Sequence, residues 1–426
     1  MHLHSPRTAP PPAPEAIAGA VRALGDGPLT DEGLVRHIHP LFSRVMARPE
    51  IYLANHSLGR PLDLTGDHIT RFAALWAAEM DGAWGPWMEE INAFRARVAS
   101  LLGLSRADAV VPRPGAGQGL RSVLNALPQP KDGVRHHIVT SRAEFDSIDF
   151  ILKTYESVGR IRVTWVPTRD DLVDQDELLR AIDPGVDLVV ASHVVFATGQ
   201  LLDRADEIVH RAHAAGALCV LDMYHSAGVV PIDLEAIGAD FAIGGSYKYF
   251  RGGPGAGWLA IHPRHLSPDQ PALRTLDTGW FAKRDTFSFQ RSQSPLLAPY
   301  GDAWMECTPA VLTAYQANPG LALLLAIGVD RLRAYSMVQQ SHLGAALAMR
   351  GVPVRFVNPR GAFLLMPSAD APALAEAIAR AGVNSDARGG HVRLCPDILN
   401  TTEQLDRAAS IIARVSGRSD SAGSRG

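Results

Sequence analysis

The stretch ADFAIGGSYKYFRGGPGAGWLAI, residues 239–261, decides how the rest of the chain is read. A short apolar run, Phe241 to Ile243, meets two glycines, then Ser246, Tyr247 and Lys248, then a second glycine cluster. The run predicts a buried strand with one lysine between two aromatics at its mouth. Burial disfavours a charged ammonium and lowers its pKa, so such a lysine is either paired at a cost or kept as a free amine.

Outward from that stretch, short β-branched runs alternate with helical segments: HHIVTS at 136–141, RVTWVP at 162–167, VDLVVAS at 186–192, ALCVLD at 217–222 and FAIGG at 241–245. The alternation implies crossover connections, hence an α/β fold with a mostly parallel central sheet flanked by helices. Before the sheet, apolar spacing predicts helices over 66–80, with Ile69, Phe72, Ala73 and Trp76 on one face, and over 89–102, stopped by Gly103. After about residue 310 the chain turns helical (310–350), then enters a smaller α+β stretch containing VRFVN, AFLLMP and HVRLCP. The expected division is a mobile Pro-rich tail and leading segment (1–50), a large domain with N-terminal helices (51–310), a small C-terminal domain (311–416) and a disordered tail (417–426).

Composition narrows the function. Of 426 residues 46% are hydrophobic and 20% charged, and 41 basic against 44 acidic residues leave a net charge of −3. That balance carries no electrostatic footprint for nucleic acid or an anionic membrane. Cys219, Cys307 and Cys395 show neither CxxC nor metal-ligand spacing and read as buried free thiols in a reducing compartment; no metal is expected. The start, MHLHSPRTAPPPAPEA, lacks an apolar signal core, and no run approaches the ~18 residues of a membrane span, so a cytoplasmic protein is expected.

ALCVLD ends in Asp222, and the next apolar run delivers Lys248. In an open parallel sheet, successive strand ends open onto one crevice, so an acid and an amine share a site. Alone, the pair reads better as a structural salt bridge. Three further features bear on it. Glycines 115, 117 and 119 precede a helical pattern of Leu120, Val123, Leu124 and Leu127, and a glycine turn entering a helix N-terminus is an anion site, although no strand clearly precedes this one. Phe145 follows HHIVTS, as a strand-end aromatic or as a core residue. Arg393 lies in the apolar run HVRLCP, where an arginine is rarely buried without a carboxylate partner. A lysine, an acid, an anion cradle and a flat aromatic are together what pyridoxal 5'-phosphate requires.

Four stretches, IYLANHSLGRP (51–61), SHVVFATGQLLD (192–203), LDMYHSAGVVPIDL (221–234) and ADFAIGGSYKYFRGGPGAG (239–257), together resemble kynureninase, within the class V aminotransferase group of fold type I pyridoxal-phosphate enzymes. The resemblance runs over about 50–415 and is densest between 190 and 258. It implies that Lys248 forms the covalent link to the cofactor and shuttles the substrate Cα proton, with Asp222 on the pyridinium nitrogen and His225 beside the ring. Tyr247 would reach the phosphate and relay a proton, and Phe145 would stack on the ring. Gly117 and Gln118 fall where the group binds phosphate, and Thr308 of ECTP resembles a threonine that contacts phosphate from the partner subunit, which implies a homodimer. Arg393 matches the arginine that clamps an amino-acid substrate's α-carboxylate, while Asn55 and Trp280 stand in segments similar to substrate-site motifs.

The departures cluster on the side-chain pocket. Phe-Pro-Ser-Asp reads Phe145-Asp146-Ser147-Ile148, SHVNY reads Ser192-His193-Val194-Val195-Phe196, and GWWGH reads Gly279-Trp280-Phe281-Ala282-Lys283. Ile148, Val195 and Phe196 are therefore expected to make that pocket less polar. The implied activity is hydrolytic cleavage of the Cβ–Cγ bond of a γ-keto amino acid of the L-kynurenine type. Transamination, β-elimination and, more remotely, cysteine desulfuration are the alternatives. A silent binding module would be expected to lose Lys248 or Asp222, and a nicotinamide dehydrogenase to carry its glycine turn near the N-terminus.

Overall fold

The computed structural model describes residues 9–128, 135–269, 271–288 and 291–417. Seven strands form the central sheet: β1 (Val110–Arg113), β2 (His136–Ser141), β3 (Ile161–Val166), β4 (Leu188–Ser192), β5 (Leu218–Asp222), β6 (Phe241–Gly245) and β7 (Gly257–Ile261). Their spatial order is β1-β7-β6-β5-β4-β2-β3. β7 is antiparallel to both neighbours, and the remaining pairs are parallel. All five predicted runs are strands. β4 and β6 are buried at every residue because helices cover both sheet faces, which is why they read as unbroken apolar runs rather than alternating ones.

The helix Trp84–Leu101 buries Ile91, Phe94, Val98 and Leu101 as its spacing predicts, and Gly103, at φ 69°, ends it in the left-handed region. The helix Asp63–Glu79 behaves differently: Trp76 is 53% exposed and Ile69 37%. β1 precedes the glycine turn directly, so a strand does lead into it, and Gly117 and Gly119 lie inside the helix Ala116–Leu124 rather than ahead of it. Gly119 lets that helix approach β6, since a methyl there would stand 2.9 Å from Ile243.

A second core lies beyond the sheet. Ile51–Tyr52 pairs in parallel with Val383–Asn384, and β8 (Leu364–Pro367), β9 (Asp386–Arg388) and β10 (His391–Leu394) form an antiparallel sheet in the order β8-β10-β9. Ile51 and Leu53 share this core with Leu343, Leu347, Leu394 and Ile412. The helix Val311–Ile327 packs into the main core, and the helix Val329–Met349 begins there with Leu332 and Tyr335 but ends in the second core. The change of core thus falls within that helix, and the change of texture near 310 marks only where the helix pair starts. The leading segment is not loose throughout: the helix Glu15–Leu24 buries Ile17 completely, and Ala13 packs against the main core. Residues 1–8 and 418–426, most of the two expected tails, lie outside the described residues.

The two glycines of the opening stretch have separate steric reasons. A methyl on Gly244 would stand 2.3 Å from the ring of Trp258, which β7 buries completely against β6. Trp258→Ala should lower the unfolding free energy by about 3–5 kcal/mol, the usual cost of emptying a packed aromatic site, as read by urea denaturation.

Candidate active site

Four parallel strands deliver the site at their C-terminal ends. Register places Ser192 of β4 opposite Asp222 of β5, and Asp222 opposite Ile243 of β6, so the segments that leave these strands start side by side. Phe145 leaves β2, Asp222 ends β5 with His225 close behind, and Tyr247 and Lys248 follow β6. Lys248 Nζ lies 2.6 Å from His225 Nε2 and 5.6 Å from the ring centroids of both Phe145 and Tyr247. Lys248, His225, Phe145 and Tyr247 are therefore brought together as expected.

Burial controls the charges. It pushes the Lys248 ammonium down, with Asp222 acting in the opposite sense, and it pushes the Asp222 carboxyl up against a 2.8 Å hydrogen bond from the Tyr224 amide. His225 is held well below the usual imidazole range by burial and then by Lys248. Burial thus eases loss of the Lys248 proton and keeps the neighbouring imidazole neutral.

Gly117 and Gln118 stand in the first turn of the helix Ala116–Leu124; the Gln118 N–H donates to the Gly115 carbonyl at 3.1 Å, and its Oε1 is buried with no partner. Ser246 Oγ is buried and unpartnered as well. The Asn55 amide donates to the Cys395 carbonyl at 2.8 Å, and Asn55 and Lys248 line the same cavity of about 40 Å³. Trp280 Nε1 donates to Thr308 Oγ1 at 3.1 Å; Thr308 is exposed, and neither residue is among the groups that touch Lys248 Nζ.

Arg393 has the carboxylate partner that its burial demanded. Its Nε donates to Asp386 Oδ1 at 2.8 Å, a second nitrogen reaches Oδ2, and the third donates to the Phe196 carbonyl. His56, fully buried, donates from Nε2 to Asp386 Oδ1 at 2.7 Å, and Ser57 also donates to Asp386. Burial alone would raise the Asp386 carboxyl, but His56 and Arg393 hold it far below the usual range. Of the three residues expected at the side-chain pocket, Ile148, on the buried face of the helix Asp146–Ser157 with Leu152, and Val195, just past β4, pack in the main core. Of the three, only Phe196 flanks the site, edge-on to Phe145 at 5.2 Å.

Sequence pattern passed over Tyr224, Glu144, His56 and Asp386. Tyr224 is signalled only by following Asp222 so closely, and Glu144 only by preceding Phe145. Glu144 is buried, accepts 2.9 Å and 2.6 Å bonds from the Ser141 and Ser192 hydroxyls, and is pushed up to about 7 by burial. Cys219 and Cys395 are buried, as expected of free thiols, but Cys307 is exposed beside Thr308.

The fold and this amine–acid edge define a fold type I pyridoxal-phosphate enzyme. Residues 67–359 match the class-V aminotransferase family, and the chain belongs to it. It is 25% identical to a kynureninase of Bacillus cereus over 86% of this chain and 88% of that one, and 32% identical to a kynureninase of Pseudomonas fluorescens over 58% and 60%. Among solved structures, a cysteine desulfurase from Thermococcus onnurineus superposes with a TM-score of 0.73 at 17% identity, covering 86% of this chain and 95% of that one. A C-DES variant with glycine covalently linked to its PLP cofactor superposes at 0.77, also at 17% identity, covering 89% and 99%. The protein is accordingly a PLP-dependent, kynureninase-like enzyme.

Glu144 gives a pH test. Its folded pKa lies above the unfolded value of 4.5, so the folded state keeps a proton that the unfolded chain loses, and stability falls as pH rises from about 4.5 to 7. That window corresponds to about 3 kcal/mol. Glu144→Gln should flatten the slope, and urea unfolding at pH 5 and pH 8 reads the difference.

Proposed function

We propose that this enzyme hydrolyses the Cβ–Cγ bond of an amino acid bearing a γ-carbonyl, of the L-kynurenine type, releasing alanine and an acid such as anthranilate. The observation that carries the reading is the likeness to kynureninases over most of the chain's length. The donor set supports it. Lys248 and Asp222 fit the two ends of the cofactor ring, with Phe145 and His225 beside it, while Tyr247, Gln118 and the helix N-terminus at Gly117 fit its phosphate. Pyridoxal phosphate, when bound, supplies the electron sink for bond cleavage at the substrate.

This chain's own residues do the rest. The Lys248 amine, whose proton burial makes easier to shed, takes the Cα proton, and His225 at 2.6 Å orients it. Arg393 receives the α-carboxylate, which exchanges with Asp386 on the guanidinium. The Tyr247 phenol carries a proton at the phosphate side. Water adds to the γ-carbonyl, and the acyl group leaves as a carboxylic acid. Asn55 and Trp280 belong to the substrate side in this reading, Trp280 with Thr308 at a boundary with a second chain. The partly exposed Ile69, Trp76 and Met80 supply apolar surface for that homodimer.

The test is direct. Purified enzyme with added cofactor, offered L-kynurenine, 3-hydroxykynurenine, plain amino acids and keto acids, should yield alanine and anthranilate from kynurenine by mass spectrometry. Amino transfer to a keto acid would make it an aminotransferase, and sulfur release from cysteine a desulfurase. Borohydride should fix the cofactor on the peptide containing Lys248, and a label on any other lysine overturns its role. Arg393→Ala should lower kcat/KM by roughly 30- to 5,000-fold on every amino-acid substrate, the effect of losing a buried bidentate carboxylate pair. Sedimentation of the active enzyme should show a dimer; an active monomer at micromolar concentration would argue against a shared site.

A further inference from the structure

Tyr224 touches both ends of the cofactor site. Its backbone N–H donates to Asp222 Oδ1 at 2.8 Å, and its ring centroid lies 4.6 Å from Lys248 Nζ, nearer than the ring of Phe145 or of Tyr247, each at 5.6 Å. Asp222 serves the pyridine nitrogen and Lys248 the aldehyde opposite it, so the side chain of residue 224 runs alongside the ring that joins them. Its phenol reaches β6. A methyl on Gly245 would stand 2.1 Å from the Tyr224 oxygen and 2.4 Å from Cζ, which makes Gly245 the glycine that admits this phenol. The rings of Tyr224 and Tyr247 lie 4.9 Å apart at 49°, and their phenols are hydrogen-bond neighbours.

We propose that Tyr224 is a wall of the cofactor pocket, facing Phe145 across the pyridine ring, and that its hydroxyl positions the Tyr247 phenol. Two aromatic faces hold the ring between them, and Gly245 keeps the second face in place. The inference rests on pyridoxal phosphate being the cofactor, and that reading fails separately, in wild-type protein that takes up no cofactor.

The experiment resolves the cofactor from the enzyme, titrates pyridoxal phosphate back, and follows visible absorption and protein fluorescence for wild type, Tyr224→Phe, Tyr224→Ala and Gly245→Ala. Tyr224→Ala should weaken cofactor affinity about 2- to 12-fold, the range of an aromatic stacking contact. Gly245→Ala should do the same by displacing the phenol, and the double variant should be no worse than either single one, since both remove the same contact. Tyr224→Phe should keep the affinity. It should also shift the alkaline limb of the pH–kcat/KM profile, because the Tyr247 phenol loses its hydroxyl neighbour. Wild-type affinity in Tyr224→Ala, or additive losses in the double variant, overturns the wall. An unmoved alkaline limb in Tyr224→Phe overturns the positioning of Tyr247, and that variant, losing one oxygen, remains readable even where the alanine variants fold poorly.

Discussion

Everything at this site follows from burying an amine and a carboxylate at the same edge of one sheet. Two opposite charges out of water are stable only with good geometry and added hydrogen bonds, and a lone buried partner would be costly. The sheet meets that requirement by register. β5 and β6 are parallel neighbours, so Asp222 and the segment leading to Lys248 start level, and the Tyr224 amide holds the carboxylate from its own strand's exit. Burial moves the two groups toward neutrality from opposite sides, and the Arg393 guanidinium adds to the push on the amine.

The central sheet was legible because a parallel sheet buried on both faces writes itself as short apolar runs, and β2 to β6 do so. The amine and the acid were legible for the same reason: each ends or follows such a run. What could not be read is side-chain direction. Tyr224 and Glu144 are neighbours in sequence of residues the pattern singled out, yet nothing in spacing says that one reaches Gly245 and the other Ser192. The packing of Ile148 and Val195 into the main core was hidden for the same reason. The antiparallel strand β1, paired only with β7, offers too short an apolar run to separate from the turn that follows it.

The substrate side shows a different kind of illegibility. Arg393 announced that it needed a partner, and Asp386 is that partner because the β9–β10 register places the two residues directly opposite. The carboxylate is shared with His56 and Ser57, so it is a hub rather than a simple counter-ion. His56 is pushed down to about 4 by burial and then by Arg393, so it enters the hub as a neutral donor. On the proposed function, the guanidinium meets an incoming acid already satisfied, and recognition is an exchange of one carboxylate for another, with little change in buried charge.

His56 and Asp386 are 330 residues apart, and the strand at Ile51–Tyr52 belongs to the core built by the end of the chain. The two halves of the site therefore have different histories. On the ribosome the central sheet, with Asp222 and Lys248, is made long before Asp386 and Arg393 exist, and domains fold in the order in which they emerge. The segment around His56, though synthesised early, waits without its strand partner until the final stretch arrives. A nascent chain can thus lay down the strands that carry Asp222 and Lys248 while the partners of His56 are still unmade, and full-length translation is what completes that hub.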